Sequence, residues 1–387
     1  MFLEAVLQRN PGLIQAAFEL HRSGRITPNT YVIDVDAVGA NAAMLAEKAA
    51  AHGIDLYMMT KQFGRLPALA RIIAAAGIKK AVAVDPWEAL ALGRAGIELG
   101  NVGHLVQVPS GMLTEILSFH PQVMTVFSVE KAREISAAAA DLGRKQDLLL
   151  KVVAPGDMVY EAQLGGFASE ELLTAAAAIA DLPNVEIAGV TAFPCFLFNE
   201  ETGKVEGTPN LETVLEAASQ LRTKLGLNIW QINTPSNTCV ATIPALAEAG
   251  ATHGEPGHAF TGTTPLHADG TGEEIPALVY VTEVSHLSSG QAYVYGGGFY
   301  SRSQLKKAMV GRTYREMSAN ILPARPVQPE YIDYYAALDA PLGEAAVGDT
   351  VIYSFRTQIF VTRAQVALVE GISRGKPVLA SVAREVG

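Results

Sequence analysis

The stretch Asp55-Leu-Tyr-Met-Met-Thr-Lys61 begins the part of the chain that decides the fold. It is a short apolar run of the length of a buried strand, it ends in a lysine, and helix-like sequence follows it. Seven more apolar runs come after it. The eight runs lie at residues 55–61, 79–85, 103–108, 122–128, 146–154, 185–193, 229–236 and 252–260.

Amphipathic segments rich in alanine and leucine separate these runs, for example at 86–95, 129–142, 169–180 and 211–225. Regular alternation of strand and helix predicts parallel strands joined by crossover helices. Eight such units fit a closed (β/α)8 TIM barrel. An open doubly wound sheet is the alternative. We favour the barrel because no Gly-x-Gly-x-x-Gly motif follows the first strand, as a dinucleotide-binding sheet prefers.

Two further regions flank the predicted barrel. Residues 1–25 have helical periodicity interrupted at Asn10-Pro11, so we predict two short helices there. Beyond residue 268 the sequence pattern changes from helix-like to strand-like, with strand-like segments at 277–283, 291–295, 350–353 and 359–362. We therefore predict a helical extension at 1–30, a barrel domain at 31–268 and a C-terminal β domain at 269–387. A strand at 31–36, followed by a helix at 37–51, could instead join the β domain.

The composition limits the class of protein. The 387 residues are 49% hydrophobic with a net charge of −10, which argues against nucleic acid or an anionic membrane as the main partner. The two cysteines, Cys195 and Cys239, show no C-x-x-C spacing, so we predict neither a disulfide framework nor a metal site. We see no signal peptide and no membrane-length apolar stretch, and we expect a cytoplasmic protein with a small-molecule substrate.

Polar residues at the ends of the predicted strands are the candidates for chemistry, because barrel enzymes place their active sites there. Lys61 ends the first strand, Asn233-Thr-Pro-Ser-Asn-Thr238 ends the seventh, and Gly254-Glu-Pro-Gly-His258 ends the eighth. Hydroxyl and amide side chains before a helix suit a phosphate group. Each feature has an ordinary explanation: a solvated lysine, a helix N-cap, or a glutamate paired with a neighbouring cation.

Taken together and in this order, these motifs resemble the fold-type III pyridoxal-phosphate enzymes, the alanine racemase-like family, and most of all its YhfX-like branch of amino-acid racemases. Asp34-Val-Asp-Ala-Val-Gly-Ala-Asn41 is similar to the segment with which the family barrel begins. Thr60-Lys61 resembles the cofactor-lysine motif, and Glu255-Pro-Gly-His-Ala259 resembles the family's Arg-Pro-Gly-Ile-Ala segment. The resemblance spans about residues 31–300.

The resemblance implies pyridoxal 5'-phosphate as the cofactor and a racemase or epimerase that removes the Cα proton of an amino acid held as an external aldimine. Lys61 is then the cofactor lysine and one acid/base, and Tyr295, in Tyr293-Val-Tyr-Gly-Gly-Gly-Phe-Tyr300, is the second. In the family this tyrosine comes from the partner in a homodimer with shared active sites. The other implied cofactor-binding residues are Gln163, Ser236, Asn237, Thr238, Glu255, Gly257 and His258.

Several departures from the racemase pattern bear on the reaction. Glu255 stands where alanine racemase has an arginine, and a carboxylate keeps the ring nitrogen protonated, as in related decarboxylases. Phe63 stands near a tyrosine that helps to bind phosphate in the family, so one phosphate contact is lost. A decarboxylase or lyase of the same fold is the alternative. A cofactor-binding barrel without turnover, or a barrel for another phosphate-bearing metabolite, are further alternatives, and the length of the β domain favours an enzyme.

Overall fold

The structure is a computed structural model that describes residues 1–300, 302–303, 305–328 and 330–383. The strands are β1 (Thr30–Asp34), β2 (Asp55–Met59), β3 (Lys80–Ala83), β4 (Glu98–Val102), β5 (Val123–Val126), β6 (Gln146–Val153), β7 (Phe167–Ala168), β8 (Val185–Thr191), β9 (Phe196–Asn199), β10 (Lys204–Gly207), β11 (Gln231–Asn233), β12 (His253–Gly254), β13 (Leu278–Ser288), β14 (Gln291–Tyr295), β15 (Lys307–Gly311), β16 (Ile321–Pro323), β17 (Tyr335–Asp339), β18 (Thr350–Tyr353), β19 (Gln365–Glu370) and β20 (Val378–Ala383).

The α-helices are α1 (Phe2–Arg9), α2 (Pro11–Arg22), α3 (Val35–His52), α4 (Pro67–Ala75), α5 (Pro86–Arg94), α6 (Leu113–Ser118), α7 (Val129–Asp141), α8 (Leu172–Ala180), α9 (Pro209–Leu225), α10 (Ile243–Glu248), α11 (His258–Thr261), α12 (Pro265–Asp269) and α13 (Tyr314–Ala319). Short 3-10 helices lie at Lys61–Phe63, Ser110–Met112 and Ile359–Val361. None of the helices in the described ranges is long and apolar enough to cross a membrane.

The chain divides into two compact units. The barrel unit consists of residues 42–60 and 67–257, and the β unit consists of residues 1–41, 61–66 and 258–387. The chain therefore passes from one unit to the other four times, after Asn41, Thr60, Leu66 and Gly257. The β unit contains both ends of the chain and the short segment that begins with Lys61.

The barrel unit is a closed parallel barrel of eight strands, in the order β5, β4, β3, β2, β12, β11, β8 and β6, with β6 paired back to β5. This confirms the predicted (β/α)8 fold. N-cap side chains just after strands start the following helices, and this produces the alternation of strand and helix. Asp85 accepts a hydrogen bond from the Glu88 amide at the start of α5, and Ser128 accepts one from the Lys131 amide at the start of α7.

The β unit contains a nine-stranded sheet whose main path is β16, β15, β18, β13, β1, β19 and β20. The strand β14 adds to β13 and to β17. Within this sheet β1 pairs antiparallel with β13 and parallel with β19. Apolar faces of α1 and α2 bury against the sheet, where Leu13 and Ile14 pack in one cluster with Val32, Val281 and Ile352. A C-terminal mainly-β domain is thereby confirmed.

Two predicted strands are wrong, and tertiary contacts explain both. The fourth barrel strand is β4, at Glu98–Val102, and the apolar run at 103–108 is a loop that begins at Gly103 with a positive φ of 88°. A Cβ on Gly100 would stand 2.3 Å from the Tyr57 ring, so this strand needs a glycine that weakens its sequence signal. The predicted strand at 359–362 is largely a 3-10 helix, because Ile359 is buried outside the sheet.

Candidate active site

Glu255 is the centre of a buried polar network in the barrel unit. It directly follows β12 and only 3% of its surface is exposed. Its Oε1 accepts hydrogen bonds from Asn233 Nδ2 at 2.8 Å and from Asn101 Nδ2 at 3.3 Å. These asparagines lie on β11 and β4, so three strands orient one carboxylate. Hydrogen bonds from neutral amides make burial of the carboxylate less costly.

Further contacts hold these partners in place. The Thr125 hydroxyl donates to Asn101 Oδ1 at 2.8 Å, and Asn233 Nδ2 also lies 3.3 Å from Thr191 Oγ1. His104 Nε2 is 3.7 Å from Glu255 Oε2, and its ring meets the Phe193 ring edge-on at 5.5 Å. Oε1 of the carboxylate is therefore held by two asparagines that are themselves hydrogen-bonded, and the His104 ring lies beside Oε2.

The loop after β11 has the backbone geometry of a strained functional turn. Ser236 has a φ of 105° and Asn237 a φ of 51°, although neither is glycine. Non-glycine residues persist in this region only where their surroundings impose it, and such positions cluster at binding sites. The Thr238 hydroxyl accepts a hydrogen bond from the Glu255 amide at 3.1 Å. The loop and the Glu255 segment are thus connected directly, and Gly257 follows two residues after that glutamate.

Lys151 is a buried lysine on β6 to which the sequence analysis assigned no role. Its Nζ donates to the Gln163 main-chain oxygen at 3.2 Å and lies 4.5 Å from the centroid of the Phe127 ring. Burial lowers the pKa of Lys151 to about 8. Gln163 lies in the loop that follows β6, and its buried Oε1 makes no hydrogen bond within the described ranges.

Lys61 and His258 belong to the β unit, where one loop connects their segments. Lys61 stands two residues after β2 and begins a 3-10 helix. The Thr357 hydroxyl donates to the Gln62 main-chain oxygen at 3.0 Å, and the Thr357 oxygen accepts from His258 Nε2 at 2.8 Å. Burial lowers the pKa of His258, and the charges of Arg356 and Lys61 lower this pKa further. The imidazole is neutral at pH 7 and donates through Nε2.

Tyr295 is not part of that group. It ends β14, is 40% exposed, and its ring contacts Tyr335 at 6.1 Å. It lines an open surface cavity together with Glu283. The glycine-rich segment that follows Tyr295 already binds a carboxylate of the protein. The amides of Gly297 and Phe299 both donate to Asp333 Oδ2, at 2.8 and 3.2 Å.

Comparison with known proteins identifies the family. A family model described as the N-terminal domain of alanine racemase matches residues 33–265, and one described as the YhfX-like C-terminal domain matches residues 279–379. The chain belongs to the alanine racemase-like family. Within that family it is 45% identical over 377 residues to YhfX of Escherichia coli (strain K12), described as uncharacterized, covering 97% of this chain and 96% of that protein.

Solved structures of the alanine racemase-like fold agree with this assignment. D-threonine aldolase from Filomicrobium marinum superposes with a TM-score of 0.67 at 18% identity, covering 92% of this chain and 94% of that one. Alanine racemase from Clostridium difficile 630, in complex with cycloserine, superposes with a TM-score of 0.63 at 15% identity, covering 92% and 98%. The fold of this family therefore supports more than one reaction on amino acids.

The structure brings some of the predicted site residues together within each unit. Thr238 and Glu255 are hydrogen-bonded in the barrel unit, and Thr357 connects the segments of Lys61 and His258 in the β unit. Sequence reasoning missed residues that hold or flank them, which are Asn101, His104, Lys151 and Arg356, and it named Asn233 only as part of a candidate segment. A polar residue inside an apolar run was the available signal for Lys151. The roles of all these residues stay predictions.

Proposed function

We propose that this protein is a pyridoxal 5'-phosphate-dependent racemase or epimerase of an amino acid. The observation that carries the proposal is the buried Glu255 carboxylate, held by Asn101 and Asn233 at the carboxyl end of the barrel strands. Its strand β12 pairs in parallel with β2, and Lys61 follows β2 by only two residues. Membership of the alanine racemase-like family supports the proposal, and the resemblance of Thr60-Lys61 to the family's cofactor-lysine motif supports the role of Lys61.

The residues present fit this cofactor. A carboxylate held rigidly inside the barrel suits a protonated ring nitrogen, which is a charged donor. The strained turn at Ser236 and Asn237 follows β11 and suits a phosphate, because successive amides in such turns form an anion-binding concavity. Thr238, Gly257 and His258 are the other residues proposed to surround the phosphate, and Gln163 the one proposed near the ring oxygen.

When bound, pyridoxal 5'-phosphate withdraws electrons from the substrate Cα and so makes its proton removable. Glu255 keeps the ring nitrogen protonated, because its charge stays fixed in the barrel interior. Lys61 takes and returns the Cα proton on one face of the substrate. The opposite face needs a second acid/base, for which we propose Tyr295 from another copy of the chain. The exposure of Tyr295 supports this, since a residue shared between subunits must be accessible in the single chain.

A decarboxylase or lyase remains the competing proposal, favoured by the carboxylate at position 255. A cofactor that withdraws electrons from Cα could equally assist cleavage of the bond from Cα to the carboxylate or to Cβ, and D-threonine aldolase shares the fold. Two observations support proton transfer instead. The Gly297 and Phe299 amides already bind Asp333, and His286 stacks on Tyr293 with ring centroids 4.7 Å apart. The amides of the glycine-rich segment are therefore already used within the β unit, and the ring of His286 packs against a tyrosine.

The test is hydrogen exchange in D2O. The cofactor-loaded protein is incubated with single enantiomers of the nineteen chiral common amino acids, and loss of the Cα proton is followed by NMR together with chiral analysis. A racemase exchanges the Cα proton of at least one amino acid and forms its mirror image. Release of carbon dioxide, or cleavage at Cβ, without formation of the other enantiomer would instead establish the competing proposal.

A further inference from the structure

Arg356 lies in a loop of the β unit that is fixed against the Lys61 segment. The loop runs from the end of β18 to the 3-10 helix at Ile359–Val361. Thr357 is fully buried, and its two hydrogen bonds attach the loop to Gln62 and to His258. Four residues after Arg356, the Phe360 ring lies 4.6 Å from the guanidinium carbon of Arg65. The backbone that follows Arg356 is therefore anchored to Gln62 and Arg65, which lie one and four residues after Lys61.

The surroundings of Arg356 differ from those of the surface arginines. Its side chain is half-buried, its Nε is inaccessible to solvent, and this Nε makes no hydrogen bond to any described residue. No carboxylate of the described ranges forms an ion pair with it. By contrast, Arg325 pairs with Asp339 at 2.7 Å at the surface. A half-buried guanidinium without an anion is costly, so an anion that binds there recovers the lost solvation.

Two neighbouring groups respond to the charge of Arg356. After burial, this charge is the largest influence that lowers the pKa of His258. Burial raises the pKa of the Tyr300 phenol, whereas Arg356 and Arg302 lower it. The region next to Lys61 is thus buried and positive in potential. Such a region attracts oxyanions more strongly than an exposed arginine does, because solvent screens it less.

We propose that Arg356 is an oxyanion-binding residue of the active site, which holds either the phosphate of the cofactor or a carboxylate of the substrate. The planar guanidinium suits both groups, since it can donate two parallel hydrogen bonds to paired oxygens. The other residues proposed for the phosphate supply hydroxyls and amides but no cationic side chain. Phe63, which stands near the family's phosphate-binding tyrosine, has no polar group to offer. The identity of these two ligands rests on the proposed function, whereas the affinity of Arg356 for an oxyanion does not.

The experiment compares the full-length wild-type protein with Arg356→Met and Arg356→Lys, and with Arg325→Met as a matched surface control. Calorimetric titrations of the cofactor-free proteins use pyridoxal 5'-phosphate, pyridoxal and inorganic phosphate. Titrations of the cofactor-loaded proteins use propionate, which has a carboxylate and no amine, and propylamine, which has an amine and no carboxylate. Urea unfolding of each variant establishes that the proteins compared are folded.

If Arg356 holds the phosphate, Arg356→Met weakens binding of pyridoxal 5'-phosphate and inorganic phosphate by about 10- to 100-fold and leaves pyridoxal binding unchanged. If it holds a carboxylate, the same factor applies to propionate, while cofactor and propylamine binding are unchanged. Arg356→Lys keeps the charge and loses less in either case, and Arg325→Met loses nothing.

The proposal is overturned if Arg356→Met binds phosphate and propionate as tightly as the wild type does. It is overturned equally if Arg325→Met weakens both anions by the same factor, since the effect is then one of net charge. A wild-type protein that binds inorganic phosphate or propionate through Arg356 but takes up no pyridoxal 5'-phosphate contradicts the proposed function and leaves this site intact.

Discussion

The barrel unit and the β unit both bury polar side chains, but they do so for different purposes. Around Glu255 each polar partner is a side chain from a different strand, and the network fixes a carboxylate. The β unit contains an aromatic cluster formed by Tyr31, Tyr280, Phe299, Tyr353 and Phe355. Neighbouring ring centroids in this cluster are 4.8 to 6.4 Å apart.

Two of the three tyrosine hydroxyls in the aromatic cluster make hydrogen bonds to nearby residues of the β unit. Tyr280 donates to Asn29 Oδ1 at 3.0 Å and Tyr31 donates to the Gly298 oxygen, whereas the buried Tyr353 hydroxyl makes no hydrogen bond among the described residues. Apolar area stabilises this cluster, and its polar atoms are incidental. We conclude that substitutions in the cluster affect stability, and substitutions in the Glu255 network affect activity.

The largest expected effect on stability comes from Phe299→Ala. The Phe299 ring is 4% exposed and contacts the rings of Tyr280, Tyr353 and Phe355. Truncation leaves a cavity and lowers the free energy of unfolding by about 3–5 kcal/mol. Urea unfolding measures this change. A loss below about 1 kcal/mol would show that the cluster is loosely packed and would break the comparison.

Stability depends on pH through buried histidines in both units. Burial lowers the pKa of His21, in the β unit, and of His253, in the barrel unit, to about 4 from 6.5. The unfolded chain therefore binds protons first as pH falls. Above pH 6.5 these histidines do not reduce the free energy of unfolding. Between pH 6.5 and 4 each of them lowers it, by roughly 3 kcal/mol in total.

Urea unfolding across that pH range measures the slope. His21→Gln and His253→Gln should each flatten it, because glutamine does not titrate. An unchanged slope in both variants would assign the pH dependence to other groups. A change in only one variant would assign the pH dependence to that histidine alone.

Glu255→Gln is expected to lower the rate of Cα proton exchange by about 100-fold, equivalent to roughly 2.7 kcal/mol. Glutamine has the same shape and can accept from Asn233, so we expect the free energy of unfolding to change by less than about 1.5 kcal/mol. Glu186→Gln, at an exposed position on β8, is the control and should change neither quantity. A stability loss without an activity loss would make Glu255 a structural residue.

The smallest effect is expected from Tyr353→Phe. Its hydroxyl is fully buried without a hydrogen-bond partner within the described ranges, and burial raises its pKa. Removing this hydroxyl should leave the free energy of unfolding unchanged or increase it by up to about 1 kcal/mol. A loss of stability would reveal a hydrogen bond of this hydroxyl and would weaken the contrast between the two units.

The barrel could be predicted from the sequence because its signal is local. Seven of the eight predicted runs overlap barrel strands, since parallel strands covered by helices require short apolar segments. The fourth strand could not be found in this way. Gly100 and Asn101 interrupt its apolar pattern. Gly100 makes room for the Tyr57 ring, and Asn101 donates a hydrogen bond to Glu255. Both roles exist only once distant strands have come together.

The candidate site was predictable where motifs lie at strand ends and unpredictable where loops return from far along the chain. Lys61, Ser236 and Glu255 stand directly after strands, so their order along the chain carried the information. Arg356 lies almost 300 residues after Lys61, and contacts of Thr357 and Phe360 connect their segments. Periodicity contains no information on such a contact.

The central claim is tested most directly by trapping the cofactor on the chain. The purified protein is loaded with pyridoxal 5'-phosphate, reduced with borohydride, digested and examined by mass spectrometry. The account predicts a pyridoxyl group on Lys61 alone, absent from Lys61→Ala and present in Lys80→Ala. A pyridoxyl group on Lys151 or another lysine in place of Lys61, or no modified lysine at all, would contradict it.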